Sequence, residues 1–158
     1  MGIKVVKGGI LMLTLVLLAS MICAVEGWGL FVTPVSVLGV HPLTRRYFTY
    51  FIVIQTMILA ALYKRKNVKP ILVFVGLASL SLIAIYDMHA FSSFHNIFAA
   101  IFFLCQPLIF FLEYYDKKDR YALTKGAVLT FLMILLLADV IPIPVFEFLS
   151  YSLLILFL

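Results

Sequence analysis

Six apolar runs, separated by short breaks of charge or proline, constrain this chain more than any other feature of its sequence. The runs are 8–25, 47–63, 71–86, 91–112, 122–138 and 145–158. As α-helices they reach roughly 20–33 Å at 1.5 Å per residue, close to the thickness of a bilayer's hydrocarbon core. The breaks cannot continue a helix unaltered. One is the basic turn from Lys64 to Pro70, another the charged turn from Glu113 to Arg120, and a third the stiff stretch from Asp139 to Pro144. Pro107 lies inside the fourth run, where it is expected to kink the helix and free a carbonyl near Phe103. With 65% hydrophobic and 12% charged residues, the 158-residue chain carries about half the charge of a soluble domain. It therefore reads as one all-α domain, 1–158, a polytopic transmembrane bundle of six short helices.

The charge distribution orients the bundle. With six spans, Lys4, Lys7, Lys64, Arg65, Lys66, Lys69, Lys117, Lys118, Arg120 and Lys125 share one face, while the other face holds only Arg45 and Arg46. This bias predicts both termini on the cytoplasmic side of a plasma or inner membrane. The net charge of +5 thus belongs to membrane-flanking clusters, and nucleic acid is not an expected partner. Tyr47, Tyr50, Tyr63, Tyr86, Tyr114, Tyr115 and Tyr121 stand at run ends, where amphipathic rings favour the membrane–water interface.

The first run, preceded by Lys4 and Lys7, resembles the start of a signal peptide but lacks a clean small-residue cleavage site, so a retained helix is expected. Cys23 and Cys105 lie in apolar runs and form no CxxC pair. With no glycine-rich nucleotide loop either, the sequence gives no redox signature and calls for no cofactor.

In this topology Glu26, His41, Asp87, His89, His95, Asp139 and Glu147 fall on the outer side. Glu113, Asp116 and Asp119 fall beside the inner Lys/Arg cluster. Ionisable groups near hydrocarbon are costly, so each needs a partner or open water. Interfacial loop positions explain Glu26, Asp87 and Asp139, and a solvated turn explains His89. His95 is different. Four residues into the fourth run, it shares a helical face with Ala99, Phe102 and Gln106. That face should point into the bundle, because Gln106 in lipid would leave an amide unpaired. His95 then serves either a ligand or an interhelical hydrogen bond, and Glu147 faces the same choice. Gly76, Ser79 and Ala84 give the third helix a small-residue packing face. The candidate ligand-binding set is His95, Asp87, Arg45, Arg46, His41, Gln106 and Glu147, with no catalytic or metal-binding residue assigned.

The segment Val35-Ser36-Val37-Leu38-Gly39-Val40-His41-Pro42 resembles the I-S-D-x-G-x-x-P-P-E signature in the first outer loop of DRAM-like and Frag-type membrane proteins. Ser36, Gly39 and Pro42 match, while Val37 and Leu43 depart. His95 followed by Ala99 and Phe103, and Glu147 near the outer end of the last helix, are similar to the same family. The resemblance implies a distant, shorter relative with a role in lipid remodelling or membrane organisation.

The leading expectation is a lipid- or partner-binding membrane protein with a polar pocket at the outer leaflet, where Arg45 and Arg46 are available to phosphate. Its partners would be membrane lipids, or a protein partner or second copy of the chain. A metal-assisted lipid hydrolase would use the three histidines with Asp87 and Ser92 or Ser93, but His89 and His95 point about 240° apart on one helix. A small transporter or channel would place a broken-helix site at Gln106 and Pro107, without an inverted repeat or a mid-membrane acid to support it.

Overall fold

The computed structural model describes residues 9, 12–14, 16, 41–66, 69–86 and 92–158. All regular structure among them is α-helical. Five helices follow one another: α1 (Arg45–Lys66), α2 (Pro70–Ile85), α3 (Ser92–Lys117), α4 (Arg120–Leu137) and α5 (Ile143–Phe157). Gly9, Met12, Leu13, Thr14 and Val16 are also helical and lie in the first apolar run. Asp87, His89, Glu26 and the loop carrying Ser36 and Gly39 lie outside the described residues.

The helix ends follow local chemistry. Before α1, the His41 carbonyl accepts from the Thr44 and Arg45 amides at 3.0 and 2.9 Å, closing a turn that launches the helix. Pro70 occupies the first turn of α2, where its fixed φ suits a helix and its missing N–H costs nothing. Asp119 caps α4, its carboxylate accepting from the Tyr121 amide at 2.9 Å. At the other end of α4, Asp139 adopts a left-handed φ of 53°. Its amide donates to the Leu136 carbonyl at 3.0 Å, and the Val140 amide donates to Leu135 at 2.9 Å. This pair of bonds forms a Schellman termination, for which a short polar side chain substitutes for glycine. Asp139 therefore has a structural task at the rim.

α1, α3 and α4 contain stretches long and apolar enough to cross a membrane: Arg45–Lys64, Ser92–Lys117 and Arg120–Leu137. α2 and α5, with 16 and 15 residues, are apolar but shorter. The outer surface of the bundle is oily. Leu137 is 82% exposed, Phe74 72% and Ile71 71%, a burden that water would penalise and hydrocarbon would not.

α3 is the central helix, packed between α2 and α4. Its inward stripe carries His95, Phe102, Gln106 and Glu113, all buried and within about 20° of one line at 3.6 residues per turn. The expected inward face of the fourth run is thus present and continues to Glu113. Pro107 sits inside an unbroken helix. Two glycines set close approaches on either side. A Cβ on Gly76 of α2 would stand 3.3 Å from Cys105 Cβ, and one on Gly126 of α4 would stand 2.8 Å from the Phe111 ring. Towards α5 the spacing is set instead by ring pairs: Phe103–Phe146 at 4.8 Å, Phe110–Phe157 at 6.0 Å and Phe102–Tyr151 at 6.5 Å between centroids.

The chain alternates direction, so its ends sort into two groups. At one end Lys69 pairs with Asp116 at 3.7 Å, Lys117 with Glu113 at 3.3 Å, and Lys125 donates to the Phe157 carbonyl at 3.0 Å. The opposite end holds His41, Arg45, Arg46, Tyr86, His95, Asp139 and Glu147.

The α2–α3 contact leaves no room for a larger side chain against a rigid Cβ. Gly76→Leu is expected to lower the thermal unfolding midpoint in detergent, with Gly76→Ala producing a smaller drop. Equal midpoints for both variants and the parent chain would show that the two helices do not approach closely at Gly76.

Candidate functional site

Two cavities meet at the first turns of α3 and α5. The outer one, about 390 Å³, lies between α3, α4 and α5, and its lining includes the exposed Leu104, Leu137 and Ile143. The inner one, about 80 Å³, lies among buried Phe48, Phe51 and Ile52 of α1, Leu80 and Ile83 of α2, and Phe102 of α3. His95, Ala99, Phe103 and Glu147 line both. The lining is mainly apolar; besides His95 and Glu147 the polar side chains are Thr14, Tyr151 and Ser152 at the inner cavity and Asn96 at the outer one.

His95 is 4% exposed, and its Nδ1 is 2.9 Å from the Tyr86 carbonyl. A carbonyl only accepts, so Nδ1 must carry the proton, and in the neutral ring Nε2 is left as an acceptor. The Tyr86 ring stacks on Phe94 and Phe98, with centroids at 5.6 and 5.5 Å, which locks the α2–α3 corner and hence the imidazole. Of the two roles expected of His95, the hydrogen bond towards the neighbouring helix is present, and the residue also lines both cavities. Glu147, half-buried at the start of the second turn of α5, brings a carboxylate to the lining of the same two cavities.

The other candidate residues are placed differently. Arg45, Arg46 and His41 stand at the same end as His95 but line neither cavity. Phe48, three residues beyond Arg45, is the first α1 residue that does. The Nδ1 of His41 accepts from the Leu43 amide at 3.4 Å, a local turn contact. Asp87 lies outside the described residues. Gln106 is not brought to His95. Eleven residues along α3, it lies about three turns deeper. Its Oε1 accepts from Tyr63 and its Nε2 donates to the Phe102 carbonyl at 3.1 Å. Its amide is committed to joining α1 to α3.

Tyr63 departs from the expectation of an interfacial ring: it is 2% exposed, its hydroxyl on Gln106. The end of an apolar run is also a place for a polar tip to reach inward when a partner amide lies on the next helix. A matching pair joins α1 to α5, where Tyr151 donates to Gln55 Oε1 at 3.2 Å and Gln55 Nε2 donates to Thr14 at 2.8 Å. Gln55 in a strongly apolar run was the sequence signal for this network, but no spacing rule names its partner.

Of the residues expected for a metal-assisted hydrolase, His41, His95, Ser92 and Ser93 are described. Among the described residues no group of three His, Cys, Asp or Glu side chains is placed to hold a metal ion. No protein-family model, no curated protein and no solved structure matches the chain.

These buried polar groups separate by substitution. Gln106→Leu strands the Tyr63 hydroxyl and is expected to cost about 1–2 kcal/mol, part of it regained in the double variant with Tyr63→Phe. Ser150→Ala is expected to leave stability unchanged or raise it, because the Ser150 hydroxyl is buried with no hydrogen-bond partner among the described residues. Chemical denaturation in mixed micelles reads both effects. A Ser150→Ala loss as large as that of Gln106→Leu would contradict the assignment.

Proposed function

We propose that this chain is a multi-pass membrane protein that holds a membrane lipid where the two cavities meet, its headgroup at His95 and Glu147 and its tail in the apolar space below. The observation that carries this reading is the sharing of His95 and Glu147 by two mainly apolar cavities, a larger one between α3, α4 and α5 and a smaller one against α1 and α2. An amphiphile has the matching distribution of polarity. A carboxylate and an imidazole nitrogen lining the same cavities favour a headgroup that donates hydrogen bonds, such as a hydroxyl or ammonium. Arg45 and Arg46, at the same end of the bundle, suit a phosphate nearer the rim. The role class is lipid binding in membrane organisation or remodelling, in keeping with the resemblance to DRAM-like and Frag-type proteins.

In this reading all six runs cross the membrane, the basic end faces the cytoplasm with both termini, and the lipid site belongs to the outer leaflet of a plasma or inner membrane. The sorting of Lys69, Lys117, Lys118 and Arg120 to the end opposite His95 supports that orientation.

Native mass spectrometry from phosphatidylethanolamine-containing micelles tests the site. His95→Ala and Glu147→Gln are each expected to reduce retained lipid by several-fold, and Arg46→Ala by less. Retention equal to the parent chain in both pocket variants would overturn the assignment. Topology is read separately, by accessibility of His41→Cys and Lys64→Cys in a background without Cys23 and Cys105. Labelling of both from the same side would refute the arrangement of spans.

A further inference from the structure

The two cavities are separated by very little. His95, Ala99, Phe103 and Glu147 face both, so the partition between them is one side chain thick. It stands at the seam between α3 and α5. That seam differs in construction from the other two seams of α3. Against α2 and α4 the backbones close up at Gly76 and Gly126, where a single added carbon meets a neighbour at 3.3 or 2.8 Å. Against α5 the helices are held apart by rings, with Phe103 and Phe146 edge to face at 4.8 Å and an interplanar angle of 62°. Such a contact consists of dispersion and a ring quadrupole, with no hydrogen bond to break. Turning the Phe103 side chain away would break no hydrogen bond, and Ala99, one turn nearer the rim, offers no bulk to replace it.

We infer that the α3–α5 seam is a lateral entrance, through which the end of one acyl chain of a membrane lipid passes from the outer cavity, beneath the Phe103–Phe146 pair, into the inner cavity. This inference rests on the lipid-binding reading above and adds a route to it. The occupant follows from the surroundings. The outer cavity opens between Leu104, Leu137 and Ile143, side chains 49%, 82% and 53% exposed on a surface whose oily character fits a bilayer. What lies against that opening in a membrane is hydrocarbon. The inner cavity is bounded by Phe51, Ile52, Leu80, Ile83 and Phe102, and at about 80 Å³ it has room for the end of a chain but not for a headgroup. For scale, an engineered apolar cavity of about 150 Å³ admits benzene. The headgroup therefore stays at His95 and Glu147 while the tail turns inward.

The test uses the full chain in phosphatidylcholine vesicles containing phosphatidylethanolamine with a diazirine at the end of one acyl chain, with adducts mapped by peptide mass spectrometry after illumination. Adducts are expected on Ile52, Leu80 or Ile83 as well as on Leu104 or Leu136. The inner adducts should be lost in Ala99→Trp, which fills the passage, with the outer ones kept, and should increase in Phe103→Ala, which widens it. Outer adducts alone would overturn the lateral entrance and leave lipid binding standing. Adducts at neither place would overturn both. Inner adducts that persist in Ala99→Trp would show entry by another path and overturn the proposal. If Ala99→Trp does not fold, Phe103→Ala decides, since inner adducts that fail to rise count against the entrance.

Discussion

A hydrocarbon surround offers no hydrogen bonds, and the interior of this bundle is arranged around that fact. Its polar side chains are few, and those deepest inside pair with one another across helices. α1 bonds to α3 through Tyr63 and Gln106, to α5 through Gln55 and Tyr151, and to the N-terminal helical segment through Gln55 and Thr14. Because water cannot substitute for a lost partner, these bonds specify which helix lies beside which. Apolar packing cannot do this alone, since Leu against Leu is hardly distinguished from Leu against lipid. α3 is thus the helix most closely packed by its neighbours and α1 the centre of polar bonding.

The same constraint governs the ends. Lys125 lies on the second turn of α4, inside the apolar run. Its ammonium extends to the Phe157 carbonyl, 5.7 and 6.0 Å from the Phe110 and Phe157 ring centroids. It supplies a cation at the negative end of the α5 dipole and occupies a carbonyl that the helix itself leaves open. Glu113, on the buried stripe of α3, pairs with Lys117 one turn nearer the surface. Each buried charge is connected towards the bundle end by a side chain long enough to reach it.

Much of the fold was legible because hydropathy is additive along a run, while the partners of polar groups are not. Run length and the lysine–arginine breaks locate helices, and the structure extends them outward: α1 begins at Arg45 and α3 continues to Lys117, since charged flanks cost nothing once the helix leaves hydrocarbon. The inward stripe of α3 was legible from Gln106 alone, because an amide in lipid is intolerable. The role of that amide was not. Whether Gln106 binds a ligand or a tyrosine depends on a residue 43 positions away, beyond any local spacing rule. Asp139 was legible as a rim carboxylate, but its left-handed turn emerges only once the helix termination is seen. The grouping of His95 with Glu147 was half legible: both were expected on the outer side, but their shared cavities arise from the aromatic spacing of α3 and α5, a tertiary property.

That spacing also explains why a cavity forms at this end. At the level of Phe110 and Phe157 the rings meet nearly perpendicularly, at 88°, and fill the gap between the helices. Near the rim the residues facing the seam are Ala99 and Ala100 on α3, with the α4 terminus turning away at Asp139. Small side chains opposite a departing helix leave a space that the remaining large rings, Phe103 and Phe146, only partition. His95 stands at its polar edge with Nδ1 committed to the Tyr86 carbonyl, which leaves Nε2 as its second polar atom. A bundle seeking stability alone would place leucine there, because a buried imidazole adds one hydrogen bond but carries a second polar atom to satisfy. His95 and Glu147 thus bring polar side chains to the lining of two mainly apolar cavities, a place that packing by itself would fill with hydrocarbon.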